Sequence, residues 1–190
     1  MVSVYIKKIS ELSPEEENKI ISSLSESARA RLEKKTNDSL RRASLCALSL
    51  LGDKERAALD YSSSGRPRFS GLQKDISISH CDSYAAVALS DAWREWVGID
   101  IEDLARESSA SARFLTENEC RAFEAGTSFV EIWTKKEALF KFLKSDTAPF
   151  IHLDSTRPDL CGAKLQAHRL DSVVLSVCTA PNTEIKIIEK

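Results

Sequence analysis

Gly98-Ile99-Asp100-Ile101-Glu102, preceded by Trp96-Val97, is the stretch on which the reading of this chain turns. Its alternation of apolar and polar residues predicts a short strand with Ile99 and Ile101 turned inward. Residues two apart on a strand share a face, so Asp100 and Glu102 leave it on the same side. Two neighbouring carboxylates repel, and a divalent cation turns that repulsion into a site. Hard oxygen donors favour Mg²⁺, with Mn²⁺ as a substitute. The competing reading is an amphipathic strand whose two acids are simply solvated.

Working outward, Ser128 with Glu131 fits a capping box that opens a helix over Phe129 to Lys144. At helical period, Phe129, Ile132, Trp133, Leu139, Phe140 and Leu143 make one apolar stripe. Lys136 falls inside that stripe, and Glu137 and Lys141 stand four apart on its edge. A buried lysine is costly unless something anionic meets it. Cations and a carboxylate on a cleft-facing edge therefore point to a polyanionic ligand, a metal, or both. The other account has Lys136 snorkelling and Glu137–Lys141 as a routine surface pair.

The flanks supply the fold class. Val2 to Ile9 reads as a strand, and Ser13-Pro14 followed by acids reads as a helix start. Further helices are expected over Ala28 to Lys35 and from Asp38, as cap, to Leu51. On the latter the apolar stripe runs through Leu40, Ala43, Ala47, Leu48 and Leu51, which leaves Arg42 solvated and Arg41 at the margin. Ser62 to Pro67 reads as a loop, and Ile76–His80 with Tyr84–Ser90 as a hairpin. Beyond the Asp-x-Glu strand, Thr116 and Glu119 box another helix ending before Gly126. Lys164–His168 with Val173–Thr179 form a second hairpin, and Glu184 to Ile188 a last strand. Each half finishes its helices and then makes a hairpin. The expectation is an α+β fold of two similar halves, 1–95 and 96–190, related by a pseudo-twofold, each with a small antiparallel sheet and packed helices. Ligands favour the cleft between such halves.

Composition sets the outer limits. The 190 residues carry 42% hydrophobic and 29% charged side chains, ordinary for a water-soluble domain. A net charge of −2 gives no global pull toward nucleic acid or anionic membrane. The five cysteines show no Cys-x-x-Cys and read as reduced thiols. Two lysines interrupt the N-terminus before an apolar core develops, and no apolar run reaches membrane-spanning length. A cytoplasmic location is expected, with no nucleic-acid or membrane partner.

Taken together the motifs resemble a family. Gly98-Ile99-Asp100-Ile101-Glu102 followed by Trp133-Thr134-Lys135-Lys136-Glu137-Ala138-Leu139-Phe140-Lys141 is similar to the paired signature of the 4′-phosphopantetheinyl transferases, Gly-x-Asp-x-Glu and Trp-x-x-Lys-Glu-x-x-x-Lys. Ile78-Ser79-His80-Cys81 looks like the family's Ser-His segment, and Gly65-Arg66-Pro67 stands where members carry Gly-Lys-Pro. Asp38-Ser39-Leu40-Arg41 is similar to the helix that offers an arginine to coenzyme A. These stations cover residues 38 to 141. The length is that of the fused two-unit, surfactin-synthetase-activating type, so a monomer is expected.

The resemblance implies that phosphopantetheine passes from coenzyme A to a serine of an apo acyl or peptidyl carrier protein, releasing 3′,5′-ADP. It implies Asp100, Glu102 and Glu137 as Mg²⁺ ligands and Glu137 and Lys141 as catalytic groups. Arg41, Arg66, Ser79, His80, Lys136 and Lys141 are implied to hold coenzyme A. A non-catalytic coenzyme A- or carrier-binding protein of the same fold is the alternative. One departure stands out: after Lys141 no glycine occurs until Gly162, where members have a glycine-containing turn.

Overall fold

Period-two patterning puts Val2, Val4 and Ile6 on one face of strand β1 (Val2–Lys8). The computed structural model describes residues 1–92, 95–106, 112–144 and 149–190. The turn expected to lack a glycine lies partly outside them. Ser13 and Glu16 exchange side-chain and backbone bonds, which starts α1 (Pro14–Ser23). α2 (Glu26–Glu33) follows Ser25, and α3 (Asp38–Ser49) is capped by Asn37 rather than Asp38, because the Asn37 oxygen accepts from the Leu40 N–H. Gly52, just past the helix expected to end at Leu51, is the N-cap of α4 (Asp53–Ala58).

The Ser62 to Pro67 loop is the turn of a ribbon, β2 (Leu59–Tyr61) against β3 (Pro67–Phe69). Three-residue strands are too short to display alternation, so the sequence shows only their turn. β4 (Ile76–His80) and β5 (Tyr84–Ser90) form the expected hairpin. The second half holds β6 (Val97–Asp103), α5 (Glu117–Glu124), α6 (Phe129–Leu143), β7 (Lys164–Leu170), β8 (Val173–Thr179) and β9 (Ile185–Glu189).

One sheet has the order β4-β5-β1-β9, the other β6-β8-β7. The fold is α+β, as expected, but the halves differ. β9 runs parallel to β1, so the last strand of the second half completes the first half's sheet and makes it mixed. Among the described residues four α-helices lie in the first half and two in the second. β5 and β8 are buried along their whole length because each sheet is covered on both faces. Ala85, Val87 and Leu89 meet Leu24, Leu32, Leu45 and Leu48 of the helical layer. Ala86 and Ala88 look the other way, onto Ile99, Ile101, Leu175 and Val177 of the second sheet. α6 closes the far side with Ala138, Leu139 and Phe142 against Cys178. Each such leucine or valine contributes about 1.5–3 kcal/mol on leaving water.

Candidate active site

Gly98 decides how near α6 comes to β6. A Cβ at this position would lie 2.0 Å from the Ala138 carbonyl oxygen and 2.5 Å from the Phe142 nitrogen. Only a residue without a side chain lets the helix rest on the strand. Asp100, two positions on, therefore opens directly onto α6.

The Asp100 side chain is only 7% exposed. Its Oδ1 accepts from Ser79 Oγ and from the Lys141 ammonium, each at 2.7 Å. Its Oδ2 is buried without a hydrogen-bond partner among the described residues. A buried unsatisfied carboxylate oxygen is costly, and it marks a place that calls for a donor or a cation. Lys141, expected beside Glu137 on the same helix, reaches across to Asp100 instead. Glu137 is half-buried and forms no side-chain hydrogen bond among the described residues. Burial pushes its carboxyl above the ordinary range, against the pull of Lys141. Glu102 pairs with Arg106, whose guanidinium also lies over the Trp133 ring.

As they stand, no three His, Cys, Asp or Glu side chains among the described residues are close enough to hold a metal ion together. The donor chemistry nevertheless fits a hard divalent cation, because Asp100 Oδ2 and the Glu137 carboxylate both lack a partner. Lys141 now supplies the positive charge that Asp100 requires.

Two cavities share Lys141, Ile78, Gly65 and Pro67 in their walls. The first, about 290 Å³, is lined by Arg31, Lys35, Ser44, His80 and Tyr61 among others. The second, about 600 Å³, lies between Arg66, Arg68, the α6 residues Glu137 and Phe140, and Lys144 just past the end of that helix. Both halves of the chain thus contribute to both cavities. Burial, then Arg31, pulls the Lys35 ammonium below its usual range. This is the signature of a cation lacking its counter-charge. Burial, then Lys35 and Lys141, likewise lowers His80, whose Nε2 lies 3.4 Å from Ser44 Oγ. Ser44 donates to the Leu40 carbonyl, which suits a neutral ring donating through Nε2–H.

The expected site residues are thus distributed unevenly. Ser79, His80, Asp100, Glu137 and Lys141 come together. Arg66 lies along α6, donating to the Lys141 carbonyl at 3.2 Å and facing the Phe140 ring. Arg41 is half-buried on α3, one turn ahead of Ser44, with no side-chain hydrogen bond among the described residues. Lys136 does not reach the cleft: it is fully buried, bound to Glu119 at 2.7 Å and to the Leu153 carbonyl. Arg42, expected to be solvated, binds Glu17 and the Ile9 and Leu12 carbonyls, whereas Leu40 is 49% exposed. Arg31, Lys35 and Ser44 went unread. The available signal is the i, i+4 spacing of Arg31, in the last turn of α2, and Lys35, two residues past its end.

Residues 96–178 match the family model described as the 4′-phosphopantetheinyl transferase superfamily. The chain is similar to the 4′-phosphopantetheinyl transferase AcpT of Salmonella typhimurium, with 33% identity over 129 residues, covering 63% of this chain and 65% of AcpT. It thus spans just under two thirds of that relative's length.

Proposed function

We propose that the chain, similar to the 4′-phosphopantetheinyl transferase superfamily over residues 96–178 and to AcpT, is such a transferase and moves the phosphopantetheine arm of coenzyme A to a serine of an apo acyl or peptidyl carrier protein, leaving 3′,5′-ADP. The observation that carries this reading is the seating of Glu137 and Lys141 of α6 against Asp100 of β6, with Lys141 in the wall common to both cavities and Glu137 in that of the second. The phosphates of coenzyme A enter the first cavity, where Arg31 and Lys35 supply charge and neutral His80 turns its Nε2–H from Ser44 to a phosphate oxygen. Arg41 reaches the 3′-phosphate from the rim, and Arg66 grips from the second cavity, through which the carrier serine approaches.

Asp100 through Oδ2, Glu137, and Glu102 once freed from Arg106 would hold Mg²⁺ or Mn²⁺. Such a cation, when bound, neutralises pyrophosphate charge and eases departure of the leaving phosphate. Glu137 takes the proton of the serine hydroxyl. Lys141 moves from Asp100 to the oxygens of the departing phosphate and stabilises their charge. Since one chain builds both walls, the enzyme acts as a monomer in the cytoplasm.

Incubation with coenzyme A, Mg²⁺ and an apo-carrier should raise the carrier's mass by that of the arm, and excess EDTA should stop it. Coenzyme A binding without any mass change would replace the transferase reading with that of a binding protein. An obligate trimer in sedimentation would overturn the monomeric one.

A further inference from the structure

The hydroxyl of Ser79 is fully engaged inside the protein. It donates to Asp100 Oδ1 at 2.7 Å, and accepts from the Ile101 N–H at 3.4 Å and from the Lys141 ammonium at 3.3 Å. A hydroxyl has one hydrogen and two lone pairs, so nothing remains for a phosphate. Two residues earlier Ser77 accepts from the Ile99 N–H at 3.0 Å, and Asp75 accepts from the Val97 N–H at 2.9 Å. These three side chains, spaced two apart, meet every second N–H of β6. β4 and β6 are edge strands of different sheets. The row takes the place of a backbone ladder between them and satisfies donors that an edge would leave open. Of the three, Ser79 is the one that also binds Asp100.

We propose that Ser79 is a positioning residue: by fixing Oδ1 it holds the Asp100 carboxylate in one orientation, so that Oδ2 is the oxygen left for a divalent cation. This rests on the metal-dependent reading above. The seam thereby joins two tasks, docking one sheet on the other and setting a ligand between them.

The test is Mn²⁺ binding, read by electron paramagnetic resonance with coenzyme A present, for wild type, Ser79→Ala, Ser79→Thr and Ser77→Ala. Loss of a hydrogen bond that orients a metal ligand weakens metal binding about 10- to 100-fold. Ser79→Ala should show a loss of that size, Ser79→Thr should largely restore binding, and Ser77→Ala should bind as wild type does. Ser77→Ala and Ser79→Ala should lower Tm to a similar degree, since each strips one β6 N–H of its acceptor. Equal Mn²⁺ affinity in Ser79→Ala and wild type, or equal weakening in Ser77→Ala, would overturn the positioning role alone. A wild type that binds no Mn²⁺ would overturn the metal reading itself. Should Ser79→Ala fail to fold, Ser79→Cys keeps the volume with a weaker donor and carries the same comparison.

Discussion

Helix α6 bears two lysine–carboxylate pairs of the same 2.7 Å length, and they are built for opposite ends. Lys136 and Glu119 are both fully buried, and their remaining valences are filled. Glu119 accepts from the Thr116 and Ser155 N–H groups, and Lys136 donates to the Leu153 carbonyl. That pair locks α5, α6 and the 153–155 segment together. The Lys141–Asp100 pair stands at a cavity wall, the lysine 29% exposed and one carboxylate oxygen without a partner. A satisfied buried pair is structure; an unfinished one beside a cavity is a place for exchange. The Lys-Glu-x-x-x-Lys pattern contains both kinds.

The comparison breaks most visibly at the closed pair. Lys136→Met strands the Glu119 carboxylate, and removing one member of such a pair costs about 3–5 kcal/mol. Chemical denaturation should show that loss, and Lys136→Met with Glu119→Leu should recover much of it. A single-variant loss below about 1 kcal/mol, the worth of an exposed pair, would mean the pair is not a lock. At the open pair the effect should move to activity. Lys141→Ala should lower Tm by less than Lys136→Met does, because Asp100 keeps its Ser79 bond and lies nearer solvent, while kcat falls by about 10² or more. If only KM for coenzyme A rose, Lys141 would be a ground-state clamp. Asp100→Asn should likewise fold and lose most transfer.

What was legible follows from how local each cause is. The β4–β5 hairpin and β8 could be read because buried strands leave unbroken apolar or alternating runs. Ser13, Thr116 and Ser128 announced their helices because a cap is a contact within four residues. The partner of Lys136 was not legible, since Glu119 lies 17 residues away and on another helix. The stripe places Lys136 inside, but its anion is Glu119 in the interior and not the coenzyme A that the resemblance implies. Arg42 went astray for the same reason: its partners Glu17, Ile9 and Leu12 come from a different segment. β9 was read as a strand, but nothing in a five-residue strand tells it to lie parallel to β1. Gly98 was read as part of a motif. Its cause, an α6 backbone atom where a Cβ would stand, appears only in three dimensions.

A smaller effect sharpens the account of the open region. Lys35 has no ion-pair partner among the described residues and faces the first cavity. A hydrogen bond to a charged group is worth about 1.5–3 kcal/mol, roughly 10- to 150-fold in affinity. Lys35→Ala should weaken coenzyme A by an amount in that range and 3′-dephospho-coenzyme A by less, as read by calorimetry. Arg41→Ala should follow if the rim contact forms, while Arg42→Ala should lower Tm and leave affinity nearly unchanged. Equal weakening for both ligands would move the 3′-phosphate elsewhere, to Arg66 first.

The smallest expected effect lies away from the cleft, at His168 on β7. Its ring sits opposite Leu175, and Nε2 is buried without a hydrogen-bond partner. Burial lowers its pKa, so the folded protein holds the ring neutral where an unfolded chain would begin to protonate it. The sign follows from proton counting. As pH falls through about 6.5, the ordinary histidine value, the unfolded state takes up a proton that the folded state refuses, and stability drops. The loss levels off once pH passes below the folded pKa. Half-buried His80 acts in the same direction, so the wild-type slope has at least two sources. His168→Leu isolates one of them: a side chain of similar size removes the titrating nitrogen and suits its apolar neighbours. The Tm of this variant minus that of wild type should grow between pH 7.5 and 5.5, by about one to a few degrees for a chain of this length. A constant difference across that range would mean that Nε2 finds a partner in solution and that His168 makes no contribution to the pH dependence.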